Sequence, residues 1–392
     1  MATEDKTSRY RTKDIFTGNF VFCFLAFFIF AAANHALTPT IPIYLAKLGS
    51  REREIGVLVG IFGVSSLVSR FFVGGWLRKH SEKSAMMTGA LLFAVGSLAF
   101  IVLRPFWPFF AVRLVQGISF ACLDTAAFAY VVNVIPVIYR GQGLAYFMLA
   151  PNLALSVAPA FAMFLVNRYS FTLFFMICTV LALGAFVFSY PLKKNETVRS
   201  QQATNVSRTS FFEKRIVVPA VMGFLHTFTY GAVVAFLPLY AIQKGVANPG
   251  LFFTAVAVMI IAGRSLGAKV LDIWSKERII LVFLSAAIVS MLILSFSETL
   301  PMFIVVGIIW GTGTSFLAPA TMTYAFEYAG SSDGTAVGTF RALTDSGVGF
   351  GPMIMGTIVP VTGYRGMFLC LAFILFADLA YFQYYVRKRK RT

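Results

Sequence analysis

Long apolar runs recur along almost the whole chain, and no other feature limits its fold so severely. Twelve can be drawn, over approximately 18–45, 55–77, 85–104, 107–136, 143–166, 170–191, 216–242, 250–271, 279–297, 300–326, 336–360 and 366–386. A helix crosses the hydrocarbon core of a bilayer with about 20 apolar residues. Strands of a membrane barrel alternate over about 10 residues instead, and these runs do not alternate. The chain is 58% hydrophobic and 12% charged, with 43 Phe. A soluble domain averages about 45–50% apolar and about 25% charged residues. So much apolar surface needs lipid as its solvent, and the expected fold is an all-α membrane protein of twelve transmembrane helices.

The formal charge of +17 suggests nucleic acid until its distribution is read. With the N-terminus in the cytoplasm, 21 of the 33 Lys and Arg fall in alternate, cytoplasmic segments and 7 in the opposite loops. That asymmetry is the positive-inside pattern. Both termini are expected in the cytoplasm, the bilayer is the expected partner, and no nucleic-acid partner is expected. The basic run Arg9, Arg11 and Lys13 before an apolar stretch resembles a signal peptide. The stretch continues to Leu45, so cleavage is not expected. Cys23, Cys122, Cys178 and Cys370 all fall in predicted helices without metal spacing, which points away from a disulfide framework. The Asn-x-Ser/Thr matches at Asn195 and Asn205 lie in a loop expected in the cytoplasm and read as chance.

Residues 191–215 form the one long polar stretch inside the chain, with six runs before it and six after. Shifting the chain by about 194 residues reveals a repeat. "PIYLAKLG" (Pro42–Gly49) lies over "PLYAIQKG" (Pro238–Gly245), and Ser69–Lys83 over Gly263–Glu277. Gly117 falls on Gly311, Tyr130 on Tyr324, and Pro159 on Pro352. The expected organisation is a six-helix bundle over 1–190, a cytoplasmic linker over 191–215 and a second six-helix bundle over 216–392. A parallel repeat of this kind places its site between the halves near the bilayer midplane.

The plan and several motifs resemble the major facilitator superfamily across essentially the whole chain. "RLVQG" (Arg113–Gly117) is similar to the fourth-helix motif of its drug and metabolite:proton antiporter branch. "YRGQGLAYF" (Tyr139–Phe147) resembles the junction after that helix, and "GYRGMF" (Gly363–Phe368) the turn into helix 12. There are departures. "GWLRKHSEK" (Gly75–Lys83) has basic residues where the family's loop carries an aspartate, although Asp272 stands in the related loop of the second half. The fifth-helix antiporter motif is degraded to "LALSVAPAFA" (Leu153–Ala162), and a better copy is "GVGFGPMIMG" (Gly347–Gly356).

Charges inside membrane helices are rare without a partner or a task, which singles out Arg113 and Asp124. Eleven residues apart, they share a helix face but lie about 16 Å apart along it, too far to pair. Gln116 lies near the same stripe. Helix 1 carries Asn34 and His35, and helix 7 carries His226 and Tyr230; a histidine titrates near neutrality and suits a coupling proton. These seven residues are the candidates for proton coupling or substrate binding, each with packing or a backbone tie as its alternative. The resemblance implies that helices 1, 4, 7 and 10 line the path. Arg70, Arg264, Asp272, Glu327 and Asp333 are assigned to a cytoplasmic gate, where the family's charges bridge the bundles. Pro39, Pro42 and Pro238 interrupt helix bonding and suit moving helices as well as irregular packing. Arg341 and Asp345, four apart, are expected to neutralise each other, and Asp378 is expected near the membrane interface.

No phosphate-cradling loop, nucleophile motif or metal spacing is present in the sequence. The expected protein is no enzyme and takes no cofactor and no metal. It is a monomeric secondary transporter in a bacterial cytoplasmic membrane that exports a small organic or amphipathic substrate in exchange for protons. The alternatives are an uptake symporter or facilitator for an organic anion and, from another class, a non-transporting receptor or membrane enzyme.

Overall fold

The computed structural model describes residues 15–77, 79–104, 106–193, 214–266, 273–329 and 334–386. Among them there is no strand. The helices are α1 (Gly18–Lys47), α2 (Glu52–Leu77), α3 (Glu82–Val102), α4 (Trp107–Val134), a short α5 (Arg140–Phe147), α6 (Leu149–Arg168) and α7 (Phe171–Ser189). After residues 194–213 come α8 (Lys214–Gln243), α9 (Gly250–Leu266), α10 (Lys276–Ser295), α11 (Leu300–Ala329) and α12 (Gly334–Tyr381), which ends in a π-helical turn over Phe382–Val386. Ten described helices are long and apolar enough to cross a membrane. The fold is all-helical and membrane-spanning.

The runs drawn at 336–360 and 366–386 are two helices that follow directly on one another, here numbered together as α12 and divided at Gly363, whose φ of 68° and ψ of 173° leave the helical region. The run drawn at 250–271 is described to Leu266. Phe71, Phe72, Val361 and Phe373 stand mostly exposed, as lipid-facing side chains do, while Phe30, Phe93 and Phe100 fill the interior.

Residues 194–196 apart meet the same local conditions. α1 and α8 both end in a Schellman turn, closed by Gly49 (φ 83°) and Gly245 (φ 80°). In the first turn the Ser50 N–H reaches Leu45 O at 3.0 Å, and in the second the Val246 N–H reaches Ala241 O at 2.9 Å. A Cβ at either glycine would strain a left-handed backbone. Tyr44 donates to Phe100 O and Tyr240 to Ser295 O, both at 3.2 Å. Ser81 and Ser275 cap α3 and α10 in the same way. Gly117 lets α4 approach α2, for a Cβ there would meet Phe62 O at 2.6 Å; Gly311 lets α11 approach α9, with Val256 O at 2.6 Å.

The halves meet where α2 packs along α12, α6 on α9 and α1 on α8. A Cβ at Gly56 or Gly60 would strike the carbonyl oxygen of Pro352 or Gly349. The mirror contact holds for Gly356, where a Cβ would lie 2.7 Å from Glu52 O. Nearby, Thr254 donates to Ser156 O at 2.6 Å and Asn167 to Ala247 O at 2.7 Å. Small residues of this kind let membrane helices touch backbone to backbone. All these contacts lie toward the end of the molecule at which α1 turns into α2. The other face of α12 does the same against α8: a Cβ at Gly347 would press on Phe224 O, and one at Gly351 would strike Phe228 O.

Candidate functional site

Below the glycine contacts the helices part around a cavity of about 250 Å³, bounded by α1, α2, α4, α8 and α12. Pro39 and Pro42 lie within α1 and remove the N–H groups that would bond the carbonyls of His35 and Thr38. Thr38 instead turns its hydroxyl onto Asn34 O at 3.2 Å, and Thr40 onto Ala36 O at 2.8 Å. Asn34 and His35, half-buried, face the cavity from this irregular stretch. Tyr230 faces it from α8.

Arg113 enters from α4 and is buried. Its Nε donates to Leu58 O at 3.0 Å, Nη1 to Gln116 Oε1 at 3.0 Å and Nη2 to Val59 O at 3.5 Å. The guanidinium also lies 4.5 Å from the centre of the Phe62 ring, a cation–π contact. Two features thus converge on one cation: Gly117 brings α4 close to α2, and α2 offers the carbonyls of Leu58 and Val59. Gln116 Nε2 keeps no partner among the described residues.

Asp124 does not share that cavity wall. Its Oδ2 accepts from Arg70 Nη2 at 3.0 Å, while Arg70 Nη1 reaches Asp345 Oδ2 at 3.2 Å. One guanidinium therefore joins α2, α4 and α12 and crosses from the first half of the chain to the second. Arg70 and Asp345 both line the central cavity. Arg70 lies two turns inside α2, deeper than a helix-end position, and Asp345 pairs with it rather than with Arg341. Sequence spacing favoured the local pair; the α2–α12 contact brings a better-placed cation from 275 residues away. A glycine register shared by α2 and α12 is the signal that points to this meeting.

The other candidates fall elsewhere. His226 lies outside the central cavity, its ring stacked on Trp310 at 5.1 Å and 8°. It borders a second cavity of about 220 Å³ inside the second half, together with Arg341, Asp345 and Asp378. Asp378, expected near the interface, is 1% exposed. Arg264 is exposed in the last turn of α9, and Glu327 accepts from Lys276. Asp272 and Asp333 lie outside the described residues. The four cysteines are free thiols.

A membrane-spanning helical fold with a largely apolar cavity between its halves, set with a few polar and charged groups, is the form of a carrier, and comparison with known proteins agrees. The Major Facilitator Superfamily model matches residues 23–340, and the chain belongs to that family of secondary transporters. The staphylopine export protein of Staphylococcus aureus is 23% identical over 358 residues, covering 87% of this chain and 89% of that protein. The quinolone resistance protein NorA of the same species is 23% identical over 354 residues, covering 87% and 90%. Among solved structures, the nucleoside transporter NupG superposes with a TM-score of 0.72 at 14% identity, covering 94% of this chain and 98% of that one; this likeness concerns the fold alone.

Proposed function

We propose that the chain is a proton-coupled antiporter that exports a small organic or amphipathic molecule by alternating access. The observation that carries this reading is the central cavity, which draws polar groups from both halves and is spanned by the Arg70–Asp345 bridge. A charged link across the seam suits a carrier whose halves rock about a fixed site. The relatives named as an export protein and a resistance protein support outward transport of an organic compound.

In this reading the fold is twelve spans in two six-helix bundles, 1–190 and 216–392, joined by a cytoplasmic linker over 191–215. The matched Schellman turns, tyrosine bonds and serine caps support the parallel repeat. The charge asymmetry supports cytoplasmic termini in a bacterial cytoplasmic membrane. The α1–α2 end is then extracellular and closed. Arg113, held by α2 and Gln116, presents a fixed positive wall to substrate, with Asn34, His35 and Tyr230 as neutral polar partners. Asp124 takes part through Arg70, and Arg70, Arg264 and Glu327, with Asp272 and Asp333, form the inner gate.

Proteoliposomes with an acid interior test the proposal, using a panel of organic cations, zwitterions and anions. An antiporter accumulates one class and releases protons as it does so, read as dequenching of a pH-sensitive dye. Accumulation only with an acid exterior would mean symport and overturn it, as would no flux for the whole panel.

A further inference from the structure

The second cavity holds two polar atoms that no partner accounts for. Asp378 Oδ1 and His226 Nδ1 are buried without a hydrogen bond among the described residues, and their side chains are 1% and 8% exposed. Both line the same chamber, from α12 and α8. Two of the chamber's three threonine hydroxyls are already committed: Thr227 bonds the carbonyls of Gly223 and Thr344, and Thr344 bonds Phe340 O at 3.0 Å. An ionised carboxylate with no partner is costly in the hydrocarbon region, so such a group carries a proton or holds a cation.

The charged and titratable groups facing Asp378 across the chamber are few. His226 comes from α8, and Arg341 and Asp345 come from the first part of α12. α10 contributes Leu284, and α11 contributes Leu317, Thr321 and Met322, none of them ionisable. Arg341 is exposed and marks the mouth. Asp345 borders both cavities, and there it accepts the hydrogen bond of Arg70. A chamber of about 220 Å³ has room for several waters, each taking about 30 Å³ in the liquid.

We propose that this chamber is a proton-holding site, in which Asp378 keeps an exchangeable proton and passes it by way of water to Asp345. The O–H bond on Asp378 breaks and one forms on the Asp345 carboxylate, so one carboxyl remains protonated and one ionised throughout. Arg341 shares the chamber with both acids. Protonation of Asp345 removes one of the two carboxylates that hold Arg70, loosening the link between the halves. This assignment rests on the antiport reading for its use in transport, but the proton site itself does not.

N,N′-dicyclohexylcarbodiimide, which modifies protonated carboxyls in apolar surroundings, tests the site in the full-length protein in native membranes. Mass spectrometry should find the adduct on Asp378, falling by about tenfold per pH unit once the group titrates. Asp378→Asn should abolish it, and in proteoliposomes should reduce gradient-driven flux at least about tenfold while sparing substrate exchange without a gradient. No adduct on Asp378, or one suppressed by sodium at constant pH rather than by alkali, would overturn the proposal. So would unchanged gradient-driven flux in the variant. An adduct that titrates in a protein showing only symport would keep the site and discard antiport; should the variant misfold, labelling of the unaltered protein still decides.

Discussion

The two halves are held together differently at two levels. Toward the α1–α2 end, α2 meets α12 through Gly56, Gly60, Gly349 and Gly356, close enough for backbone to touch backbone. At the level of the central cavity the same helices are linked by one guanidinium shared between two carboxylates. The first contact is made of dispersion and shape, which pH and salt barely touch. The second is made of charge, and its strength changes with the protonation of either acid. A pair of helices that must both hold and let go can divide the tasks along its length.

A branched side chain in the glycine contact should do most damage. In Gly60→Val the new atoms meet the Gly349 carbonyl and the Met353 side chain, and a backbone oxygen cannot step aside. Overpacking of this kind costs about 1–3 kcal/mol, seen as a fall of several degrees in thermal unfolding. Gly74→Ala, where nothing lies within 4 Å, is the control and should leave unfolding in place; equal effects would dissolve the contrast.

Removing the shared cation comes next. Arg70→Ala leaves Asp124, with its side chain 14% exposed, beside Asp345 without the cation that bonds them both. Breaking a buried pair costs about 3–5 kcal/mol, and partial exposure of Arg70 and Asp345 lowers that to about 1–2 kcal/mol. Asp124→Asn should destabilise more than Asp345→Asn, whose side chain is 40% exposed. The reverse order in thermal unfolding would show that the crossing bond is the stronger one.

The smallest effect should come from Lys244 and Glu298, an exposed pair 2.8 Å apart in the loops after α8 and α10. The hydrogen bond from Lys244 holds Glu298 below the usual carboxylate range, and that bond holds Lys244 above the usual ammonium range. The Glu298 contribution is therefore present above the unfolded carboxylate value and lost as pH falls through the lowered folded one. That of Lys244 is present below its unfolded value and lost as pH rises through the raised folded one. Lys244→Met should flatten both edges slightly, with no change at neutral pH beyond that of an exposed pair.

The spans were legible because lipid demands long apolar runs whatever the tertiary structure. Arg113 was legible as an anomaly, but its partners were not: Leu58 O and Val59 O belong to the backbone, which sequence does not distinguish from any other. Asp345 misled because spacing of four on a helix suggests a local pair, and nothing local announces Arg70. Asp378 sits nine residues before the basic tail, so its distance from that tail suggested an interface. Depth along a helix and burial within a protein are separate coordinates, and only the first is written in the sequence.

Helix α12 has glycines on two faces, Gly347 and Gly351 toward α8, Gly349 and Gly356 toward α2. Between interdigitated side chains, relative motion must pass through rotamer changes and transient gaps, each adding roughness to the barrier. Where backbone lies on backbone there are fewer knobs to unlock, and small sliding of packed helices is a recognised mode of domain movement. Along this seam few side chains, Met353, Val64 and Thr227 among them, stand in the way of sliding, and the Arg70 link is the contact that has to exchange partners.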